Sequence, residues 1–281
     1  MDSQKKHPKS FSFEFFPPKD DAARAKLREV TDELAGLKPK YFSVTYGAGG
    51  STREGTLATV LRIREAGFHA APHLSCVAST REQLREVIHQ YKSHGIRHIV
   101  ALRGDLPSGL ASSGEFRYAS ELVRFIREET GDWFHVEVAC YPEYHPQARK
   151  PQQDLQAFKA KIDAGANAAI TQYFYNPDAY FHFAEQARAL GIAVPIVPGV
   201  MPINNFSQLA RFSDACGAEI PRWMRLKLEG FGDDAASVKA FGMDVVTDLC
   251  DKLLAGGAPG LHVYTMNMAG PASTLWQRLG L

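Results

Sequence analysis

The stretch FSFEFFPPKDDAARAKLREVTDELAGL, residues 11–37, contains the pattern that decides the fold. It opens with six mostly aromatic residues, 11–16, which is the length and composition of a buried β-strand. Two prolines end this strand, and an amphipathic pattern follows that starts at Asp20 and stops at Gly36, residue types that cap helices. A strand followed directly by a helix is the repeating unit of a parallel sheet.

The same strand and helix unit recurs along the chain. Helical patterns such as residues 80–95 and 154–167 separate the apolar runs, and residues 221–256 are long enough for more than one helix, so the seventh crossover contains an insertion. Eight such units predict an α/β fold in which the sheet closes into a (β/α)8 TIM barrel. The predicted strands are residues 11–16, 41–46, 70–76, 98–104, 135–141, 168–174, 195–200 and 261–266.

Length and composition predict one domain. The chain has 281 residues, of which 45% are hydrophobic, enough for a single sizeable core. No linker divides it, so we expect a flexible N-terminus over residues 1–10 and one catalytic domain over residues 11–281. The net charge of +1 provides no field to attract nucleic acid or an anionic membrane. With no signal peptide and no membrane span in the sequence, we expect a cytoplasmic protein with small-molecule substrates.

A barrel of this kind carries its chemistry where the strands end. In the first strand, Phe11, Phe13 and Phe15 share one face, so Glu14 points the other way, towards the barrel axis. Burial raises the pKa of a carboxyl group, which suits a general acid. The polar groups at the other strand ends are Thr45, Tyr46, His73, Arg103, Gly104, Asp105, Tyr141, Gln172 and Tyr264.

Each of these residues also has a purely structural interpretation. Glu14 would then be a core carboxylate bonded to a backbone amide, and Asp105 would cap its own loop. His73 and His145 would be ordinary hydrogen-bonding histidines, and Gln172 a polar residue of the barrel rim. Their convergence on one end of the barrel favours a functional site.

The residues alone do not name a reaction. The first strand lacks the paired histidines of metal-dependent hydrolase barrels, and the four cysteines are scattered without metal-ligand spacing, so we predict reduced thiols and no metal site. No predicted strand contains a lysine for Schiff-base chemistry, and no GxGxxG follows a strand. What remains is a metal-free barrel with one buried acid.

The motifs FEFFPP, SVTYGA, APHL, HIVALRGD, YPEYHP, DAGANAAITQYF, PGVMPINN and HVYTMN occur in this order over nearly the whole chain. Together they resemble the bacterial, FAD-dependent family of 5,10-methylenetetrahydrofolate reductases. The resemblance implies a catalytic barrel without the regulatory domain of eukaryotic relatives. It also implies a ping-pong reaction, in which NADH or NADPH reduces FAD and the reduced flavin then converts methylenetetrahydrofolate to 5-methyltetrahydrofolate. Such an enzyme serves one-carbon metabolism and methionine biosynthesis, and we expect a homo-oligomer.

The resemblance also implies roles for individual residues. Glu14 matches the acid that protonates the folate, and Asp105 matches an aspartate beside the flavin. Thr45 and Gln172 match contacts to nicotinamide or folate, and Gln208 matches a contact to folate. Phe212 matches an aromatic that stacks on ligands, whereas Met268 stands where relatives commonly have arginine. The positions that match FAD contacts are Tyr46, Ala48, His73, Arg103, Gly104, Asp105, Tyr118, Ala119, Tyr141, His145, Ala148, Asp154 and Lys161.

Two alternatives stay open from the sequence. One is another FAD barrel oxidoreductase, similar to proline dehydrogenase, which would share the flavin and ignore folate. The other is a non-catalytic relative that binds folate or flavin, in which Met268 marks lost turnover. The presence of Glu14 argues for the enzyme, while the choice between NADH and NADPH is left open.

Overall fold

A computed structural model describes residues 1–46, 53–105 and 114–281. Its strands are all parallel, and their side chains alternate between the barrel interior and the surrounding helices. The strands are β1 (Ser10–Phe15), β2 (Tyr41–Val44), β3 (Ala70–Ser75), β4 (His98–Leu102), β5 (His135–Cys140), β6 (Ala168–Thr171), β7 (Ile196–Val197), β8 (Gly199–Val200) and β9 (Gly260–Tyr264).

The strand order shows how the sheet closes. Neighbouring strands follow the order β7-β6-β5-β4-β3-β2-β1-β9-β8. β7 pairs with β6 while β8 pairs with β9, and only Pro198 separates these two short strands. Proline has no backbone N–H to donate, so it interrupts the ladder and divides one strand into two. The eight-stranded barrel is therefore confirmed, with its predicted seventh strand broken in the middle.

Two predicted helices begin at the expected capping residues, whereas α6 (Pro151–Asp163) begins before the expected Asp154. Asp20 caps α2 by accepting a hydrogen bond from the Ala23 N–H at 2.7 Å, and Thr80 and Gln83 form a capping box at α4. Three helices, α8 to α10, lie between β8 and β9, which confirms the insertion. The helices are α1 (Asp2–Lys5), α2 (Asp21–Ala35), α3 (Arg53–Glu65), α4 (Arg81–Ser93), α5 (Ala119–Thr130), α6 (Pro151–Asp163), α7 (Pro177–Ala189), α8 (Phe206–Cys216), α9 (Arg222–Phe231), α10 (Ala235–Gly256) and α11 (Ala269–Leu279).

Alternation along β1 separates the core from the site. Phe13 packs against Trp276 of α11 with ring centroids 4.9 Å apart, and Phe15 stacks on Phe42 of β2 at 5.2 Å. Both phenylalanines are fully buried, and each contributes about 1.5–3 kcal/mol by leaving water. Ser12 and Glu14, between them in sequence, face the barrel interior, as the alternation predicted.

The N-terminus differs from the flexible segment that we expected. Residues 2–5 form the short helix α1, and its Gln4 side chain is buried. The Gln4 amide oxygen accepts from the Ile196 N–H at 2.8 Å and its nitrogen donates to the Val194 carbonyl at 3.2 Å. Because this amide satisfies the backbone where β7 begins, the start of the chain is fastened to the barrel.

Two further observations concern membrane-spanning helices and the cysteines. None of the helices in the described ranges, including the 22-residue α10, combines the length and apolarity needed to cross a bilayer. Cys76, Cys140 and Cys250 are buried free thiols, and burial raises the pKa of Cys76 to about 12. These thiols therefore stay protonated at neutral pH.

Candidate active site

Glu14 lies at the centre of a cluster of three titratable side chains. Its Oε2 is 3.3 Å from Nε2 of His73 and 3.3 Å from Nε2 of His262. β1 and β9 are neighbours in the sheet, and β3, which carries His73, is separated from β1 only by β2. The Glu14 side chain is only 16% exposed, and both histidines are more deeply buried. The expected inward position of Glu14 is therefore confirmed, in a setting with two imidazoles.

Ser12 completes this cluster, because its Oγ lies 2.7 Å from Nδ1 of His262. The His262 ring thus joins a hydroxyl on one side to a carboxyl group on the other. When Glu14 is ionised, His262 donates from Nε2 and accepts from Ser12 at Nδ1. When Glu14 is protonated, the other tautomer of His262 accepts from Glu14 and donates to Ser12. The same heavy-atom positions therefore accommodate Glu14 with or without its proton.

The structure corrects the expected pKa of Glu14. Burial raises the pKa of this carboxyl group, but the charge of His73 and the hydrogen bond and charge of His262 act the other way and leave it below its ordinary value. Burial lowers the pKa of His73 as the largest effect. The lowered pKa favours an ionised Glu14, so the apolar surroundings of the strand alone do not keep the acid protonated.

The loop after β9 fixes the backbone around Glu14. Thr265 Oγ1 donates to the Glu14 carbonyl at 2.6 Å. The Asn267 amide both accepts from the Phe16 N–H at 3.0 Å and donates to the Phe16 carbonyl at 2.9 Å. Met266 and Asn267 adopt left-handed φ angles of 53° and 55°, a conformation that asparagine tolerates better than most residues. Residues 265–267 (TMN) therefore hold the backbone around Glu14 in place, although they are far from it in the sequence.

Sequence reasoning missed Ser12, His262 and Asn267. Strand alternation could have indicated Ser12 and His262. Ser12 is two residues before Glu14, and His262 is two residues before Tyr264, so each shares a strand face with a predicted residue. No local signal indicated Asn267, since its partner Phe16 is 251 positions away.

A second group of predicted residues lies beside β4 and β5, where oppositely charged side chains approach each other. The Lys161 ammonium donates to the Ala139 carbonyl at 2.5 Å, and burial lowers the pKa of Lys161. Asp154 accepts from the His145 N–H at 3.0 Å, and burial raises the pKa of Asp154. The charges of Arg103 and Asp154 both act on His145 and on Lys161. This group provides buried cations for an anionic ligand.

The RGD segment after β4 depends on a glycine. Gly104 has a φ of 85°, and a Cβ there would lie 1.9 Å from Ser75 Oγ, so a side chain does not fit.

Asp105 is exposed at the rim, directly before the undescribed residues 106–113. Its charge adds to the effect of burial in raising the pKa of Tyr141. The Tyr141 ring packs edge-on against His145 with centroids 4.7 Å apart.

Gln172 lies at the edge of a small cavity that Tyr141 and Glu143 also line. Its side-chain oxygen accepts from the Tyr173 N–H at 2.9 Å, which orients the amide. Burial raises the pKa of Glu143 to about 7, and this carboxyl group accepts from the Glu219 N–H at 2.8 Å. The cavity thus presents one amide and one weakly acidic carboxyl group.

The remaining predicted residues are more dispersed. Thr45 follows β2, and its buried Oγ1 has no hydrogen-bond partner within the described chain. The Tyr46 hydroxyl accepts from Arg53 Nε at 2.9 Å. Tyr118, 61% exposed, and Ala119 mark the start of α5. Ala148 donates its N–H to the His145 carbonyl, and Ala48 lies outside the described residues.

Three predicted substrate residues lie on helices of the last two crossovers. Gln208 and Phe212 are one turn apart on α8, and both are partly buried. Met268 is the N-terminal cap residue of α11 and offers no side-chain hydrogen bond there. The structure brings Glu14 together with His73, and Asp154 with His145 and Lys161. It places Gln208 and Phe212 together on α8 and Met268 at the start of α11.

Comparisons with known proteins agree on one family. The family model described as methylenetetrahydrofolate reductase matches residues 1–280. A 5,10-methylenetetrahydrofolate reductase of Salmonella typhimurium is 42% identical over 271 residues, covering 96% of this chain and 90% of that protein. A probable methylenetetrahydrofolate reductase (NADH) of Oryza sativa subsp. japonica is 39% identical over 285 residues, covering 96% of this chain and 48% of that protein.

A solved structure supports the fold independently. It is an uncharacterized protein from Clostridium thermocellum that binds two copies of 5-methyl-5,6,7,8-tetrahydrofolic acid, with a TM-score of 0.71 and 15% identity. The match covers 99% of this chain and 95% of that one. At this identity the likeness establishes the shared barrel architecture.

Proposed function

The chain belongs to the methylenetetrahydrofolate reductase family, and from this premise we propose that it reduces 5,10-methylenetetrahydrofolate to 5-methyltetrahydrofolate, using FAD and either NADH or NADPH. The observation that carries the proposal is the buried Glu14 with two imidazoles at 3.3 Å, at the end of the barrel where such folds carry out chemistry. The alternatives that lack folate chemistry give no reason for an acid at this position.

The residues at this end of the barrel fit a bound FAD. Arg103 and the partly buried Lys161 offer positive charge for the phosphates. Thr45 Oγ1 is buried, has no hydrogen-bond partner among the described residues and could bond a ligand. FAD held by these residues would supply hydride transfer between the nicotinamide and the folate.

Glu14 delivers the proton that opens the folate ring, which happens when the bridging nitrogen is protonated. Ligands filling the site would remove the remaining water from the Glu14 carboxyl group, so its pKa would rise from its lowered value. His262 follows this change by exchanging tautomers while its contact with Ser12 is kept. The cluster therefore holds a proton beside the substrate and releases it without moving heavy atoms.

Asp105 and Gln172 position the substrates in this proposal. The negative charge of Asp105 at the rim stabilises the cationic form of the opened folate and makes the flavin a stronger hydride donor. Gln172 offers an oriented amide for the edge of a planar ring. Gln208 and Phe212 add a polar contact and an aromatic surface for the folate from α8.

The experiment that tests the proposal follows the flavin absorbance of the purified protein without oxygen. We expect a yellow protein that NADH or NADPH bleaches and that methylenetetrahydrofolate, added next, restores to the oxidised spectrum. Proline in place of the nicotinamide is the control for the other class of flavin barrel. A protein without flavin, or a reduced flavin that the folate leaves unchanged, would contradict the proposal.

A further inference from the structure

Two histidines and a glutamate meet in the barrel interior where β4 and β5 begin. His98 begins β4 and His135 begins β5, and the two residues are paired in register. Glu137 is two residues after His135, so both side chains leave β5 on the same face. We propose that His98, His135 and Glu137 bind one divalent transition-metal ion, with Zn²⁺ as the type case.

The distances between the donor atoms suit this kind of ion. Nε2 of His98 lies 3.5 Å from Glu137 Oε2, and Nε2 of His135 lies 3.5 Å from Glu137 Oε1. Two ligands of a tetrahedral zinc ion are about 3.3–3.5 Å apart when each bond is about 2.0–2.1 Å long. The donor atoms of all three residues lie within 4.8 Å of one another. Some distances between donor atoms are longer than in a zinc site, and rotation of the half-exposed His135 ring shortens them.

The surroundings hold the ligands in the required forms. The Tyr41 hydroxyl donates to Glu137 Oε2, which fixes the carboxyl group from outside the site. Burial opposes ionisation of Glu137, but the histidines and Tyr41 outweigh it and hold the pKa of Glu137 well below its usual range. Burial lowers the pKa of His98, so its ring is neutral at neutral pH. A carboxylate and neutral imidazoles are the forms that bind metals.

His98 offers a buried ring nitrogen to an ion at this site. Its Nε2 lies 3.5 Å from Glu137 Oε2, at the limit of a hydrogen bond. A metal ion would satisfy this nitrogen. The side chain of His135 is 44% exposed, so an ion reaches the site from solvent and keeps water in its remaining position.

The donor set decides the class of ion. Two imidazoles and one carboxylate suit Zn²⁺, Co²⁺ and Ni²⁺, whereas Mg²⁺ and Ca²⁺ prefer oxygen ligands alone. The sequence predicted no metal site because His98 is far from the His135-x-Glu137 pair in the chain. Only the register of β4 against β5 brings the three residues together.

Metal binding to the full chain tests the inference. After treatment with a chelator and dialysis, titration calorimetry with Zn²⁺ should show one ion per chain with a Kd in the micromolar range or tighter. His135→Ala and Glu137→Gln should each weaken binding by at least ~10-fold. His182→Ala, which removes an exposed histidine of α7, is the matched control and should bind as the wild type does.

Co²⁺ provides a second readout that depends on geometry. The wild-type protein should develop the visible absorption bands of tetrahedral Co²⁺, and His135→Ala should lose them while its circular dichroism without metal stays unchanged. Failure of the wild type to bind one equivalent would overturn the inference and leave a hydrogen-bonded cluster. Equal weakening in His182→Ala, or full affinity in His135→Ala, would overturn it as well.

Discussion

Glu14 shows how one residue depends on partners from distant parts of the chain. Its direction follows from the alternation of a single strand, but its pKa is set by His73 and His262, which other strands supply. The hydrogen bond to His262 spans 248 positions of sequence. A carboxyl group that two imidazoles contact is an acid whose proton affinity depends on the state of all three groups.

Removing the ring nitrogens of His262 should shift the pH dependence of folate reduction. The contact with His262 lowers the pKa of Glu14, so His262→Phe should raise it. Because the proposed reaction uses protonated Glu14, the fall in rate with increasing pH should move to higher pH in this variant. The measurement is the pH profile of flavin reoxidation by the folate in single turnovers.

Reduction of the flavin by the nicotinamide is the internal control for His262→Phe, since that step uses no proton from Glu14. An unchanged profile for the folate step, or a shift to lower pH, would show that His262 does not tune the acid. Parallel changes in both steps would instead indicate a disturbed barrel.

At this scale the sequence predicted the acid and failed to predict its environment. Alternation along residues 11–16 is a local property, so the inward position of Glu14 was accessible. The direction of its pKa shift could not be predicted, because burial and charge act in opposite directions and the charged partners are far away in the sequence. The same holds for Asn267, whose bonds to Phe16 exist only in the closed barrel.

Among the elements, the strands were predicted well and the exceptions have physical causes. The predicted strand at residues 195–200 is two strands in the structure, because Pro198 breaks the ladder. Helix α1 was missed because its four residues bury only Gln4, a polar side chain that gives no hydrophobic pattern. Its role becomes visible only in the hydrogen bonds that it makes to the start of β7.

Replacement of Gln4 should destabilise the barrel by more than an average surface change. Gln4→Ala leaves the buried N–H of Ile196 without its acceptor, which costs about 1–3 kcal/mol. The free energy of unfolding from urea titration measures this cost. Lys6→Ala, at an exposed position next to α1, is the control and should change stability by less than about 0.5 kcal/mol. Equal effects of the two substitutions would mean that α1 is not fastened through Gln4.

The barrel interior holds two clusters of polar side chains, and the charges of one act on His73 of the other. The carboxyl ends of the strands hold the Glu14 cluster, and the amino ends hold Glu137 with two histidines. Eight parallel strands predict the first location from sequence, since function lies at that end of such barrels. The strand pattern does not predict the cluster of Glu137 with two histidines, because residues at the amino ends of barrel strands usually serve stability. The cluster forms only through the register of β4 against β5.

Stability of the whole molecule should depend on pH through Glu143. Its pKa is about 7 in the folded protein, against an ordinary 4.5. A carboxyl group whose pKa is raised on folding contributes stability below its unfolded pKa and loses that contribution as pH rises through the folded pKa. Glu143→Gln cannot ionise, so its melting temperature relative to wild type should increase between pH 5 and about pH 8.

The control for Glu143→Gln is Glu86→Gln, on the exposed face of α4. Its difference from wild type should be the same at both pH values. A Glu143→Gln difference that is also constant with pH would show that Glu143 ionises in the folded protein as freely as an exposed carboxyl group.

The central claim is that Glu14 donates the proton in folate reduction, and stopped-flow absorbance of the flavin in Glu14→Gln tests it most directly. The variant should bind FAD, melt close to the wild-type temperature and accept hydride from the nicotinamide at nearly the wild-type rate. Reoxidation of its reduced flavin by methylenetetrahydrofolate should fall by roughly 10²–10⁴-fold, as expected when a general acid is lost. Equal slowing of both half-reactions, or loss of FAD with a lower melting temperature, would contradict the claim and make Glu14 a structural carboxylate.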